Sequence, residues 1–331
     1  MERSPLWAQE PGDVDLVTED VRYESGGVTL AALYLRPDPP SETGSAIPGA
    51  VMIQGSGDSG RDNAWSRMIA ETIARAGFGV LLTDKRGVGP SEGDWRSVGF
   101  HALADDAAAG VAYLASRPEV DPESVGLVGL SQGGWVAPIA AAWSDRIAFV
   151  VNVSGASVSF AEQSFHEMAN TARQEGLPPE QVRQVLELNQ AAARFAHTGR
   201  WEPYGRLLDE AVRGPWAPLA RGFPQSPDEP RWEFIRNVMD FGPLPYWIMV
   251  DQPVLVLYGE EDERDNVPVA ESVRRLESAF AGVRKENHRI VVIPGADHGF
   301  LDFSSDDHAE HGLRSDFVQE LTRWLSDRAL D

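Results

Sequence analysis

"VGLVGLSQGGW", residues 125–135, is the stretch on which the fold turns. Val125–Leu130 lacks polar alternation, as strands buried on both faces do. Ser131 follows, with Gly129 two residues before it and Gly133 two after, and "QGGWVAPIAAAW" then has the pattern of a helix. A serine fenced by glycines marks either a tight turn or a backbone bent so sharply that the hydroxyl is pushed into the open. The second case needs a strand delivering the chain, a strained residue and a helix leaving at once. Larger side chains two before or two after would collide in so tight a bend. Ser131 has the strand before it, the helix pattern after it, and a glycine at both of those positions.

The same G-x-S-x-G pattern occurs at Gly89–Gly93. There Ser91 follows a glycine-rich loop, has Pro90 directly before it, and runs into "EGDWRSVG", which holds no helix. Ser91 is therefore read as a turn residue and Ser131 as the nucleophile.

Working outward, short apolar runs recur at 49–55, 78–84, 125–130, 147–154, 253–259 and 289–295. Helix patterns lie at 64–76, 101–117, 132–144 and 268–281, and a last one at about 311–328. Strand alternating with helix predicts a parallel sheet covered on both faces. "VRYES" and "VTLAALYLRP", joined by Gly26-Gly27, add an antiparallel hairpin at the start, making eight strands. From 155 to 246 there is no strand pattern, only helical segments separated by Pro- and Gly-containing breaks. That segment is expected to be a helical cap inserted after the sixth strand, on a core formed by 1–154 and 247–331.

The chain has 331 residues, 42% of them hydrophobic, which suits one large α/β domain with an insertion. Its 29 Lys and Arg against 51 Asp and Glu give a net charge of −22. Such a field repels nucleic acid and anionic membranes, so neither is expected as a partner. Without cysteine there is no disulfide, thiol nucleophile or thiolate-bound metal. Nothing resembles a signal peptide, and no apolar run reaches spanning length, so a cytoplasmic protein is expected. A homo-oligomer is left open.

A serine hydroxyl is inert at neutral pH until a base takes its proton, and the base needs an orienting carboxylate. The strand–serine–helix stretch around Ser131 resembles that of the α/β-hydrolases, and the resemblance implies that the acid and then the histidine follow, each in a loop after a strand. His298, in "VVIPGADHGF", stands just past the last strand. His288 precedes that strand, and His101, His166 and His197 fall in helix-patterned segments. His308 and His311, in "DDHAEH", read as a solvated helix start rather than a metal site, and no metal or other cofactor is expected. The acid lies in the carboxylate cluster of "GEEDERDNVP", among Glu260, Glu261, Asp262, Glu263 and Asp265. The resemblance implies the third residue after the strand-ending glycine, Asp262, or, counted back from Val267-Pro268, Asp265. Because the strand end is the rigid reference, Asp262 is preferred. The oxyanion hole takes one backbone N–H from Gln132 and a second from "QGSGDSG", where Ser56 is favoured.

"GLSQGG", "PGADHGF" and "DKRGVGPSEGDW" (84–95) together resemble the α/β-hydrolase superfamily, and "GSGDSGRD" resembles its cap-bearing bacterial serine esterases and dipeptidyl aminopeptidase-like hydrolases. The likeness covers nearly the whole chain outside 155–245. It implies a Ser-Asp-His triad of Ser131, Asp262 and His298, no cofactor, and a site between core and cap. Gln54 departs from the pattern, standing where many relatives have His, and the acid loop is two residues longer than usual. Three functions follow. The first is hydrolysis of a small-molecule carboxylic ester through an acyl-enzyme on Ser131. The second is peptide or amide cleavage on the same triad, with Glu162, Glu167 or Asp240 binding a substrate amine. The third is ligand binding on a hydrolase fold.

Overall fold

The Gly26-Gly27 turn joins β1 (Leu16–Ser25) to β2 (Val28–Pro37), paired antiparallel from Leu16 against Pro37 to Ser25 against Val28. The computed structural model describes residues 14–40, 44–304 and 312–329. After the hairpin, strand and helix alternate: β3 (Ile47–Ile53), α1 (Ala64–Arg75), β4 (Gly79–Thr83), α2 (Phe100–Ala115), β5 (Val120–Leu130), α3 (Gly133–Ala142) and β6 (Val150–Val153). The alternation resumes with β7 (Val254–Gly259), α10 (Val269–Gly282) and β8 (His288–Ile293), and closes on α11 (Ser315–Ala329). The eight strands lie in the order β1-β2-β4-β3-β5-β6-β7-β8. From β3 to β8 every pairing is parallel, and β2 runs against both its neighbours.

Alternate residues of each strand feed opposite faces of this sheet. Val51, Leu81, Leu127 and Val256 pack with Leu103, Val136 and Leu276 of α2, α3 and α10. Met52, Leu82, Val128 and Leu255 pack with Ile69 of α1 and with Phe317 and Leu321 of α11. Both faces being covered is why the central strands read as unbroken apolar runs.

Between β6 and β7 the chain is helical throughout its regular structure: α4 (Phe160–Gln174), α5 (Pro179–Thr198), α6 (Glu202–Ala211), α7 (Ala217–Ala220), α8 (Arg231–Val238) and α9 (Leu244–Trp247). Ser159 and Glu162 form a reciprocal capping box that starts α4. Val185, Leu188, Phe195, Tyr204, Trp216 and Trp232 give this segment a hydrophobic cluster of its own, with the Phe195 and Trp232 rings 4.6 Å apart and edge to face. Phe234, Val238 and Trp247 instead join the core against the sheet. A two-residue pairing of β9 (Leu301–Asp302) with β10 (Gly312–Leu313), just before α11, is one small element the sequence pattern did not indicate.

Candidate active site

Ser131 stands between β5 and α3 with φ +50°, in the left-handed region that non-glycine residues rarely enter. Its N–H donates to the Val153 carbonyl at 2.8 Å, and its own carbonyl accepts from Gly134 N–H at 2.8 Å. A Cβ on residue 129 would strike the Gly133 carbonyl, and one on residue 133 would strike the Ile53 carbonyl. Both fencing glycines are thus required by space. The Ser131 hydroxyl has no hydrogen-bond partner among the described residues.

β7 ends in a 3-10 turn, Glu260–Arg264, that buries Asp262 completely. Its Oδ1 accepts from Asn266 N–H at 3.3 Å and from Val267 N–H at 3.2 Å, while Oδ2 lies 2.7 Å from His298 Nδ1. Two amide donors and an imidazole thus fix a carboxylate that water does not reach. The other acids of the loop are otherwise engaged. Glu260 accepts from Gly295 N–H at 2.9 Å, Glu261 pairs with Arg264 at 2.8 Å, and Glu263 accepts from Ala270 N–H at 2.8 Å. Asp265 gives its N–H to the Asp262 carbonyl at 3.0 Å and does not reach the imidazole.

His298 follows β8, held by its backbone and its ring. Ser154 Oγ donates to the His298 carbonyl at 2.8 Å, and Trp65 lies with its ring 5.7 Å from the imidazole while its Nε1–H donates to Gly299 O at 2.9 Å. Burial alone would lower the imidazole pKa; the hydrogen bond and charge of Asp262, with Asp265 and Asp297 behind, overcome it and raise the value above 6.5. Ser131 and His298 reach one region through neighbouring strands. Ser131 is tied to the end of β6, and Ser154, just past β6, donates its N–H to Leu257 of β7 and its hydroxyl to His298. Trp65 and Ser154 were not among the expected site residues, because nothing in the sequence marks a tryptophan or serine that acts on a loop over a hundred residues away.

The Gln132 side chain is buried and the Ser56 side chain exposed, and neither backbone N–H has an acceptor among the described residues. Of the three residues that follow β4, two fasten the loop carrying Ser56 and the third binds α2. Asp84 accepts from Arg61 N–H at 2.6 Å and from Arg61 Nε at 2.8 Å. Lys85 Nζ donates to Gly57 O at 3.0 Å and to Gln132 Oε1 at 2.9 Å. Arg86 forms a two-pronged pair with Asp106 of α2, at 2.6 and 2.7 Å. Gln54, the departure from the family pattern, donates to Thr83 O at 2.9 Å and accepts from Ser59 at 3.0 Å, so it too braces this loop.

Ser91 is buried; its hydroxyl accepts from Ala31 N–H at 2.9 Å and donates to Asp84 O at 3.1 Å. His101 stacks on Trp143 at 5.0 Å, and His288 at the start of β8 lies against Phe280 at 4.6 Å. Among the described residues no three His, Asp or Glu side chains are grouped as a metal would need, and His308 and His311 lie outside those residues. No helix among the described residues is long and apolar enough to cross a membrane. Trp135, on the first turn of α3, is the hub of an aromatic group with Phe100, Phe160 and Phe241 at 5.5, 5.9 and 6.3 Å. Of the aromatic residues in the helical segment, Trp201, Tyr204, Trp216 and Trp232 knit its own cluster, and Phe234 reaches Trp95 at 4.9 Å.

A family model described as the alpha/beta hydrolase family matches residues 50–310. An uncharacterized Pseudomonas aeruginosa protein is 25% identical over 287 residues, covering 82% of this chain and 72% of that protein. The quorum-quenching protein AidA of Acinetobacter baumannii is 32% identical over 134 residues, 40% of this chain and 42% of its own. Among solved structures, an esterase of Pyrococcus furiosus superposes with a TM-score of 0.60 at 16% identity, covering 97% of this chain and 93% of that one. Est1E of Butyrivibrio proteoclasticus, with ferulic acid bound, gives 0.57 at 17% identity, covering 94% and 99%.

Proposed function

Since the chain belongs to the alpha/beta hydrolase family, we propose that it is a serine hydrolase cleaving small carboxylic esters through an acyl-enzyme on Ser131. The observation that carries this reading is Ser131 itself, a strained, glycine-fenced serine at a strand-to-helix bend, with its hydroxyl uncommitted. Ser131 Oγ attacks the acyl carbon while His298 Nε2 takes its proton, and the imidazolium formed is held through Nδ1–H by Asp262. The oxyanion accepts from the Gln132 and Ser56 N–H groups. Collapse expels the alcohol, which takes the proton from His298. Water, activated by the same imidazole, then releases the acid and frees Ser131. Ser131 and His298 are not hydrogen-bonded to each other; such catalytic bonds commonly tighten only in the complex. The helices between β6 and β7 act as the cap, and the aromatic group around Trp135 supplies an apolar wall for the acyl or alcohol part.

One observation favours amide cleavage as a second reading. Glu162 is taken by Arg275 at 2.7 and 2.9 Å, and Asp240 stands 3.6 Å from His197. Glu167 of α4 has no cation bonded to it among the described residues, and its carboxyl pKa is raised by burial and by Asp265, with His298 opposing. A substrate ammonium would relieve that. Short-chain aryl esters and aminoacyl arylamides, assayed side by side, decide between the two. Rapid ester turnover without arylamide cleavage is expected; arylamide cleavage that drops in Glu167→Gln would establish the second reading. Turnover of neither, in a folded protein, would leave ligand binding.

A further inference from the structure

We propose that Lys85 is a positioning residue of this reaction, its buried side chain holding together the two backbone segments that supply the oxyanion donors. The inference rests on the reading of Ser131 as nucleophile. An ammonium has three N–H donors and no acceptor. Here one proton goes to Gln132 Oε1 at 2.9 Å, on the residue after the nucleophile, and one to Gly57 O at 3.0 Å, on the residue after Ser56. Nζ also lies 4.7 Å from the centre of the Trp95 ring. These contacts join the loop after β3 to the turn after β5, beyond the last paired residues of the two strands, Ile53 and Gly129, where the ladder no longer holds them together.

Folding alone gives little reason for the charge. Lys85 is only 8% exposed, and a buried charge is costly unless paired. Among the described residues no carboxylate is hydrogen-bonded to it. Asp58 of the β3–α1 loop is already bonded to Arg96 at 2.6 Å. Asp84 and Asp106, which line a cavity of about 30 Å³ together with Lys85 and Tyr23, are engaged by Arg61 and Arg86. A methionine would fill the same space without the desolvation. What a methionine could not do is bridge Gln132 and Gly57 and place a positive charge behind the developing oxyanion. Burial pushes the ammonium down to about 7, with Asp58 opposing and Arg96 adding to the fall. The bridge therefore weakens as pH rises through that value, while the His298 base becomes competent as pH rises through its own.

The test begins with fluorophosphonate labelling of the wild-type protein and mapping of the labelled residue. Lys85→Met is then compared on one aryl ester, its active fraction counted by complete labelling of Ser131. Expected is a fall in kcat of about 10²-fold, the scale of one lost oxyanion contact, with KM changed by less than about threefold. The descending limb of the wild-type pH profile near pH 7 should also be missing in the variant. A structural role alone would lower the active fraction and leave kcat per labelled site, and the shape of the profile, as they were. Should Lys85→Met fail to fold, Gln132→Met decides: it removes the acceptor, keeps the backbone N–H, and should lower kcat about tenfold. Unchanged kcat per site in the folded variant overturns the assignment. Wild-type protein that is not labelled at Ser131 overturns the reading beneath it as well.

Discussion

Residues 89–93 and 129–133 spell the same pattern, glycine and serine at identical spacing, and the chain uses them in opposite ways. At 89–93 the glycines carry the conformational burden, with φ +53° at Gly89 and +84° at Gly93, while Ser91 between them is buried with both sides of its hydroxyl bonded. At 129–133 the serine carries it, at φ +50°, and the glycines are there because neighbouring carbonyls leave no room for a Cβ. One loop relaxes its serine into the scaffold, and the other strains its serine away from it. The difference lies in what flanks each: a strand and a helix on either side of Ser131, and loop on both sides of Ser91. A five-letter pattern thus has meaning only through the elements that hold its ends.

The contrast breaks most sharply at the serines themselves. Ser131→Ala should lower ester turnover by a factor on the order of 10⁶ in kcat, as loss of a triad nucleophile does elsewhere, and should abolish fluorophosphonate labelling. Ser91→Ala should leave labelling intact. Labelling that survives in Ser131→Ala would reverse the roles assigned to the two loops.

The next effect concerns the carboxylates that could serve the strained serine. Asp262→Asn keeps the shape of the site but leaves His298 without the charge that supports its imidazolium, which should cost about 10⁴ in kcat. The sign of the accompanying pH shift follows from the raised imidazole pKa. Asp262 favours the protonated ring, so its neutral replacement lets that pKa fall, and activity rises at lower pH than in the wild type. Asp265→Asn removes only a secondary charge near the ring and should cost less than about tenfold. Equal losses in the two variants, measured on one ester, would mean that the Asp262–His298 contact at 2.7 Å does not govern turnover.

How far the sequence carried the reading follows the same division between strand-anchored and loop-anchored features. The sheet was legible because β3, β7 and the Val125–Leu130 part of β5 are covered on both faces and so read as apolar runs, and Ser131, Asp262 and His298 stand past the ends of β5, β7 and β8, where they were expected. The helical segment between β6 and β7 was legible as helices by their apolar spacing, whereas which aromatics face the sheet was not. Trp232 and Phe234 are two positions apart on α8, yet one enters the segment's own cluster and the other the core beneath it. The neighbours of Lys85 in sequence do not mark it as buried. A lone lysine after a strand is ordinary on a surface, and its burial comes from Trp95, Gly57 and Gln132 folding over it. Only the cation's position, two residues past a strand whose Gly79–Leu82 run is buried, could have marked it.

The smallest effect is expected where the comparison is most easily misjudged, in the stability of Ser91→Ala. Its hydroxyl accepts from Ala31 N–H in β2 and donates to Asp84 O at the end of β4, so it closes the junction of two paired strands with the loop that follows. Alanine fits the space but leaves Ala31 N–H buried without that acceptor. An orphaned buried donor costs about 1–3 kcal/mol, more than the net worth of the hydrogen bond itself. Turnover per labelled site should stay within about twofold of wild type, because surface and scaffold changes away from a site rarely alter chemistry. Denaturant unfolding should show a lower midpoint with an unchanged slope, the mark of lost stability without a change in exposed surface. If the midpoint holds and turnover falls instead, then Ser91 acts on the reaction through Asp84, and the two loops differ in degree rather than in kind.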